Sequence, residues 1–216
     1  MTLFDSARFA ISVAETEQLN HAALAMVPEV AIVGRSNAGK SSTINVLANR
    51  RQLAFASKTP GRTQLLNFFL LSEIEPDAAG ERVAVPRAYL VDLPGYGFAK
   101  VDDATRTRWN RLVGDYLQSR RMLRGVILVM DARRPLREAD EDLLSWLAAR
   151  EDPDAVRLHC LLNKSDQLGL VEQRAALATT ETRAESLPMA TSVQLFSALK
   201  RIGVDELRAA VLEMIG

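Results

Sequence analysis

The chain has 216 residues, 48% hydrophobic and 25% charged, enough to bury a full α/β core in one domain. Its 27 basic and 27 acidic residues cancel, so whole-chain charge argues for neither a nucleic-acid nor a membrane partner; only a local patch could. The single cysteine, Cys160, excludes an intrachain disulfide framework and reads as a small core residue in a reducing compartment.

In chain order, the N-terminal stretch MTLFDSARFAISVAETEQ has no basic segment leading into an apolar core, so it does not read as a signal peptide. Apolar runs such as Val126–Met130 fall far short of the ~20 residues that span a bilayer, and a cytoplasmic protein without a membrane partner is expected. Residues 1–28 show no clear element and are expected to form an extension packed on the domain that follows, with Pro28 ending it. Strands are expected at Glu29–Val33, Leu65–Leu71, Arg87–Val91, Gly125–Met130, Val156–Leu162 and Ser192–Phe196. Helices are expected at Lys40–Ala48, Thr105–Ser119, Leu136–Ala149, Val171–Ser186 and Val204–Met214. Several of the strands are continuously apolar, as strands buried on both faces of a mostly parallel sheet must be. The alternation predicts an α/β fold with a mixed, mostly parallel six-stranded sheet flanked by helices, and ligands at the carboxyl ends of the strands. No helix fits between Leu71 and Arg87. The linker holds Pro76, Gly80 and Pro86, which predicts an antiparallel hairpin closed by a loose exposed loop over 72–86.

The chemistry lies at the strand ends. After Ala31-Ile32-Val33 comes Gly34-Arg35-Ser36-Asn37-Ala38-Gly39-Lys40-Ser41 and then a helix, the phosphate-binding loop in its required strand–loop–helix setting. Backbone N–H groups turn inward around the α- and β-phosphates, Lys40 reaches the β- and γ-phosphates, and Ser41 ligates Mg²⁺ at a helix N-terminus that favours anions. Asp92-Leu93-Pro94-Gly95 ends another buried strand: Asp92 would hold Mg²⁺ through a water, and Gly95 would donate its N–H to a γ-phosphate. Between them, Ser57–Gln64 occupies the place of the first switch loop, where Thr59 and Thr63 both qualify to complete the magnesium sphere. Asn163-Lys164-Ser165-Asp166 ends a further strand. Asp166 can accept from the N1–H and amine edge of guanine, which adenine lacks, so binding adenine would leave a buried carboxylate unpaired. Asn163 can hold the base and its loop, and the stem of Lys164 can lie along the ring. The next strand end supplies Phe196-Ser197-Ala198, where a backbone N–H near Ala198 could meet guanine O6.

Five motifs in this order resemble the translation-factor-related bacterial GTPases. Pro28–Ser42, Lys58–Gln64, Asn67-Phe68-Phe69 and Asp92–Ala99 resemble the EngB (YihA/YsxC) family in their particular wording, and the likeness covers nearly the whole chain from Pro28 onward. That resemblance implies a P-loop NTPase with a single Ras-like G domain over 29–216. It implies a monomeric, Mg²⁺-dependent, slow GTPase with GTP and GDP as ligands. Its partner would be the assembling large ribosomal subunit or its rRNA, and normal cell division and septation would depend on it. The resemblance also assigns the magnesium-ligand role to Thr63, and extends the nucleotide contacts through Gly61, Arg62, Thr63, Gln64 and Leu65. The family is often more basic than this neutral chain, and its hairpin turn is usually shorter than 72–86.

Ras-type switches follow Asp-x-x-Gly with a glutamine that orients the attacking water; here the residue is Tyr96. The family belongs to GTPases with a hydrophobic residue at this position, so Tyr96 reads as an anchor for the second switch or a cap on the site. Related GTPases with asparagine at the position of Asn37 bind K⁺ beside the phosphates, where a cation would offset transition-state charge; the alternative is a loop-stabilising amide. A group brought by the partner is the third source. Thr105–Arg124 carries six arginines (106, 108, 111, 120, 121, 124) against one acid, Asp115. Trp109, Leu112, Val113 and Tyr116 form its inward stripe, so the arginines read either as a phosphate-docking face beside the switch or as a solvated surface. His21 and His159 show no metal spacing and read as structural or solvated. The rival function is a nucleotide-gated binding protein or scaffold in which hydrolysis is incidental.

Overall fold

The computed structural model describes residues 2–20, 24–54, 65–96 and 103–216, with only the backbone described at 16, 20 and 103–110. Among the described residues, strands β1 (Arg8–Val13), β2 (Glu29–Gly34), β3 (Leu66–Pro76), β4 (Arg82–Asp92), β5 (Leu123–Asp131), β6 (Arg157–Asn163) and β7 (Thr191–Leu195) form one seven-stranded sheet in the order β1-β3-β4-β2-β5-β6-β7. Pairs β1/β3 and β3/β4 are antiparallel, and the other four are parallel. The helices are α1 (Lys40–Leu47), α2 (Asp103–Ser119), α3 (Glu138–Ala148), α4 (Leu170–Glu185) and α5 (Val204–Ile215).

Period-two alternation within β2 sorts the two cores. Ala31 and Val33 face a layer with Leu112, Val113 and Tyr116 of α2 and Leu143 and Leu147 of α3. Val30 and Ile32 face Ile44 and Leu47 of α1 and Leu207, Val211 and Met214 of α5. Every residue of β2 is buried, which is why the strand reads as a continuous apolar run. The stripe expected on α2 is found for Leu112, Val113 and Tyr116; the side chain of Trp109 lies outside the described residues.

Two expectations are corrected. The sheet has seven strands where six were expected, because the N-terminal segment contributes β1 as an edge strand on β3. Its pattern is unreadable because it is an edge: Phe9 is 56% exposed, with its ring in a T-shaped pair with Phe69, and the register slips between Phe9 and Ile11. The hairpin has no loose loop. The strands run out to Pro76 and Arg82, and Asp77 closes the turn, its Oδ1 accepting from the N–H groups of Ala79 and Glu81, at 2.9 and 2.8 Å. Gly80 supplies the left-handed backbone (φ 80°) that the turn needs. Pro86, read as a breaker, falls where the ladder shifts register opposite Ser72, so its missing N–H costs no regular rung.

Below the sheet's amino ends, Glu29 is fully buried. Arg120 clasps it through Nε and Nη2 at 3.0 and 2.5 Å, the Tyr116 hydroxyl donates to it at 2.9 Å, and Arg120 Nη1 donates to the Leu19 carbonyl at 2.8 Å. Arg120 therefore ties β2, the end of α2 and the N-terminal segment together; it does not belong to an exposed phosphate-docking face. Replacing Arg120 with alanine would strand a buried carboxylate. Urea unfolding should show a loss of about 3–5 kcal/mol, against a change within about 0.5 kcal/mol for Arg121→Ala on the exposed turn.

Candidate nucleotide site

The loops at the carboxyl ends of β2, β4, β6 and β7 converge. Residues 34–41 leave β2 and wrap into α1, with Asn37 (φ 64°) and Gly39 (φ 101°) both left-handed. Gly39 has a further constraint: a Cβ there would sit 2.1 Å from Nδ2 of Asn163, so only glycine admits the Asn163 amide against the loop. Nδ2 of Asn163 donates to the Ala38 carbonyl at 2.7 Å, and its Oδ1 accepts from the Ala198 N–H at 3.1 Å. Lys164, itself left-handed (φ 66°), donates to the Asn37 carbonyl at 2.6 Å and to Asp131 Oδ2 at 2.9 Å. One asparagine and one lysine thus fasten the phosphate loop to both loops expected at the base.

Asp166 and Ser197 meet: the Ser197 hydroxyl donates to Asp166 Oδ1 at 2.5 Å and accepts from the Lys200 N–H at 3.0 Å. The carboxylate is oriented and keeps accepting capacity, since each oxygen has two lone pairs. The Ser165 N–H and hydroxyl both donate to the Phe196 carbonyl, joining the 163–166 and 196–198 turns. The Ala198 N–H, expected near guanine O6, is here given to Asn163.

Asp92 ends β4 in register with Ile32 of β2, and its carboxylate pairs with the Lys40 ammonium at the first residue of α1. Leu93 N–H donates to the Ile32 carbonyl at 3.1 Å, and Ser36 N–H donates to the Tyr96 carbonyl at 2.9 Å, so 92–96 runs along the phosphate loop. Lys40 and Asp92 reach one common spot, and the Ser41 hydroxyl follows on the same helix turn. An ammonium, a carboxylate and a hydroxyl fit a phosphate with a hard, oxygen-preferring Mg²⁺. Thr59, Gly61, Arg62, Thr63 and Gln64 lie outside the described residues, as does His21; Leu65 lies just before β3.

The exposed Asn37 side chain makes no hydrogen bond among the described residues, so the loop-stabilising amide finds no support. Its left-handed backbone gives a separate reason for asparagine there. His159 is buried between β6 and β7, with Nδ1 2.7 Å from the Ser192 hydroxyl and Nε2 2.8 Å from Gln194 Oε1, a structural residue. Cys160 is buried, and burial pushes its thiol up to about 12, an inert core residue. Among the described residues no group of three or more His, Cys, Asp or Glu could hold a metal, and no helix is long and apolar enough to cross a membrane.

Sequence reasoning missed Asp131. It ends β5 opposite Asn163, and Arg133 grips it through Nε and Nη2 at 2.8 and 2.6 Å while Lys164 takes Oδ2. The Arg133 hydrogen bonds, with Lys164 beside them, hold its carboxyl well below the usual range, so it stays ionised to orient Lys164. An acid closing the buried apolar run of β5 was the available signal. Asp131→Ala should free Lys164 and weaken GDP and GTP binding alike, by about tenfold in a fluorescent-nucleotide titration.

The comparisons agree with this geometry. The model of the "50S ribosome-binding GTPase" family matches residues 29–164. The "Probable GTP-binding protein EngB" of Herminiimonas arsenicoxydans is 43% identical over 225 residues, covering 100% of this chain and 91% of that protein. Its namesake in Paraburkholderia phymatum is 50% identical over 184 residues, covering 83% and 78%. Among solved structures, a probable GTP-binding protein engB aligns over 87% of this chain and 98% of its own (TM-score 0.54, 17% identity). Era, solved with MgGDPNP and a segment of 16S ribosomal RNA, aligns over 88% and 57% (TM-score 0.61, 22% identity). These two likenesses bear on the fold alone. Full-length identity to curated relatives and the matched family model together make this chain a member of the EngB family of GTP-binding proteins.

Proposed function

We propose that the chain is a guanine-nucleotide switch that hydrolyses GTP slowly and whose client is the assembling large ribosomal subunit, with cell division and septation depending on that supply. The observation that carries the reading is the convergence of the 34–41, 92–95, 163–166 and 196–198 loops, tied by Asn163 and Lys164. The main-chain N–H groups of 37 and 39–41, up to the start of α1, would cradle the phosphates. Lys40, now on Asp92, would turn its ammonium to the β- and γ-phosphates. Ser41 and Asp92, with Thr63, would hold Mg²⁺, Asp92 through a water. The bound ion would offset the phosphate charge. Gly95 would give its N–H to the γ-phosphate. Asp166, steadied by Ser197, would accept from the guanine edge. The family description, a ribosome-binding GTPase, supports the ribosomal client.

Asp166→Asn should weaken GTP binding by roughly two orders of magnitude while raising relative affinity for xanthosine nucleotides, because the amide now matches a carbonyl edge. GTP-dependent co-sedimentation with 50S particles should fall with it. Unchanged GTP affinity would overturn the base assignment.

Asn37 would ligate K⁺ beside the phosphates, in place of the absent glutamine. Turnover should be faster in K⁺ than in Na⁺, by on the order of tenfold or more, the scale of supplied transition-state charge. Asn37→Ala should erase the difference; equal rates in the two salts for the wild-type protein would exclude the cation.

A further inference from the structure

Tyr96 does more than fill an apolar slot. Its ring is 4% exposed, and its hydroxyl donates to Asp140 Oδ1 at 2.7 Å. Asp140 is 1% exposed, and its Oδ2 accepts from the Arg137 N–H at 2.9 Å, closing the first turn of α3. From the other side, the Tyr96 carbonyl accepts from Ser36 N–H of the phosphate loop at 2.9 Å. Tyr96 is therefore fixed at both ends, its main chain to the phosphate loop and its side chain to α3.

Gly95 sits one residue before this double anchor. A Cβ on Gly95 would lie 3.5 Å from Ser36 N and 3.6 Å from the Gly34 carbonyl, ordinary contact, and its φ is not left-handed. The observed packing has no need of glycine at 95. What it fixes is distance: the 95 N–H cannot leave the phosphate loop unless Tyr96 moves, and Tyr96 cannot move without breaking the bond to Asp140 or the bond to Ser36. Breaking the first takes the donor from one oxygen of a buried carboxylate, which is costly.

We infer that Asp140 is a positioning residue that acts through the Tyr96 hydroxyl to hold Gly95 at the phosphate loop, so that the Tyr96–Asp140 bond raises the ratio of the affinity for GTP to that for GDP. The inference rests on the reading of Gly95 as the γ-phosphate contact. GDP has no γ-phosphate to meet Gly95, so an interaction that holds Gly95 in place adds to the affinity for GTP alone. Asp140 lies on α3, outside every nucleotide-binding motif.

Affinities of the full chain for GDP and a non-hydrolysable GTP analogue test this in Tyr96→Phe, Asp140→Ala, their double variant and Gly95→Pro. Tyr96→Phe should lower the GTP-to-GDP affinity ratio about fivefold or more, the lower range of site-to-site coupling, with GDP affinity within about twofold of wild type. It keeps the Asp140 bond to Arg137, so α3 retains its first turn even where Asp140→Ala loses it. The double variant should change the ratio no more than Tyr96→Phe alone. A Tyr96→Phe ratio that is unchanged or shifted toward GTP, or single effects that simply add, overturns the inference. Gly95→Pro removes the main-chain donor itself. If Gly95→Pro lowers the GTP-to-GDP affinity ratio while Tyr96→Phe leaves it unchanged, the latch fails and the reading of Gly95 stands. If Gly95→Pro leaves the ratio unchanged, both fall.

Discussion

The amide of Asn163 is a buried group with two ends, and each end is spent on a different loop: Nδ2 on the Ala38 carbonyl, Oδ1 on the Ala198 N–H. Buried amides tolerate unmade hydrogen bonds poorly, so the phosphate loop and the base-side turn must keep the spacing that satisfies both ends. Gly39 is the counterpart of that demand, because no side chain fits between the loop and Nδ2. Lys164 repeats the arrangement one residue later with a charge, reaching back to the Asn37 carbonyl and sideways to Asp131. The site is preorganised by polar side chains that are themselves placed by β5 and β6.

Most of this was legible because the motifs are chemistry at strand ends, and strand ends follow from apolar runs. β2 and β5 are covered on both faces, so burial alone spells them out. What escaped was of two kinds. β1 and the outer hairpin are half-exposed: β1 depends on β3, far along the chain, and the hairpin strands pair with each other across the Asp77 turn, so neither reads as a continuous apolar run. Pro86 reads as a breaker until the register shift opposite Ser72 is known. The second kind is the paired charge. Arg120 looks like its neighbours Arg121 and Arg124 in the sequence, and only a fully buried Glu29, 91 residues away, distinguishes it. Asp131 and Asp140 are similar: each is an ordinary acid near a helix or turn until the cation or hydroxyl that it serves is placed beside it.

The arginine-rich helix shows how the same logic limits a docking argument. With Arg120 committed to Glu29, the described remainder is Arg111, loosely paired with Asp115 at 3.9 Å, and the exposed Arg121 and Arg124. Exposed cations of this kind contribute long-range attraction that salt screens, and little fixed geometry. Among the described residues, discrimination by nucleotide state falls to the loops at the strand ends, where buried groups have discrete partners to exchange; the side chains of Arg106 and Arg108 lie outside the described residues.

That constraint bears on the absent glutamine. A side chain that positions the attacking water must present a polar group to the phosphates. The hydroxyl of Tyr96 is given to Asp140, inside the layer between the sheet and α3, and its ring is covered. While that bond holds, the side-chain hydroxyl of residue 96 is directed to α3; its proposed contribution is mechanical, keeping Gly95 near the phosphate loop. On the proposed reading, charge stabilisation in the transition state comes from the phosphate-loop side or from the partner. Asn37 is the residue on that side whose amide is exposed and uncommitted among the described residues, while its own carbonyl is held by Lys164. A loop fixed through its main chain with one side-chain amide left over can accept a cation without rebuilding itself. A chain with its second switch fastened by a tyrosine has its catalytic freedom there.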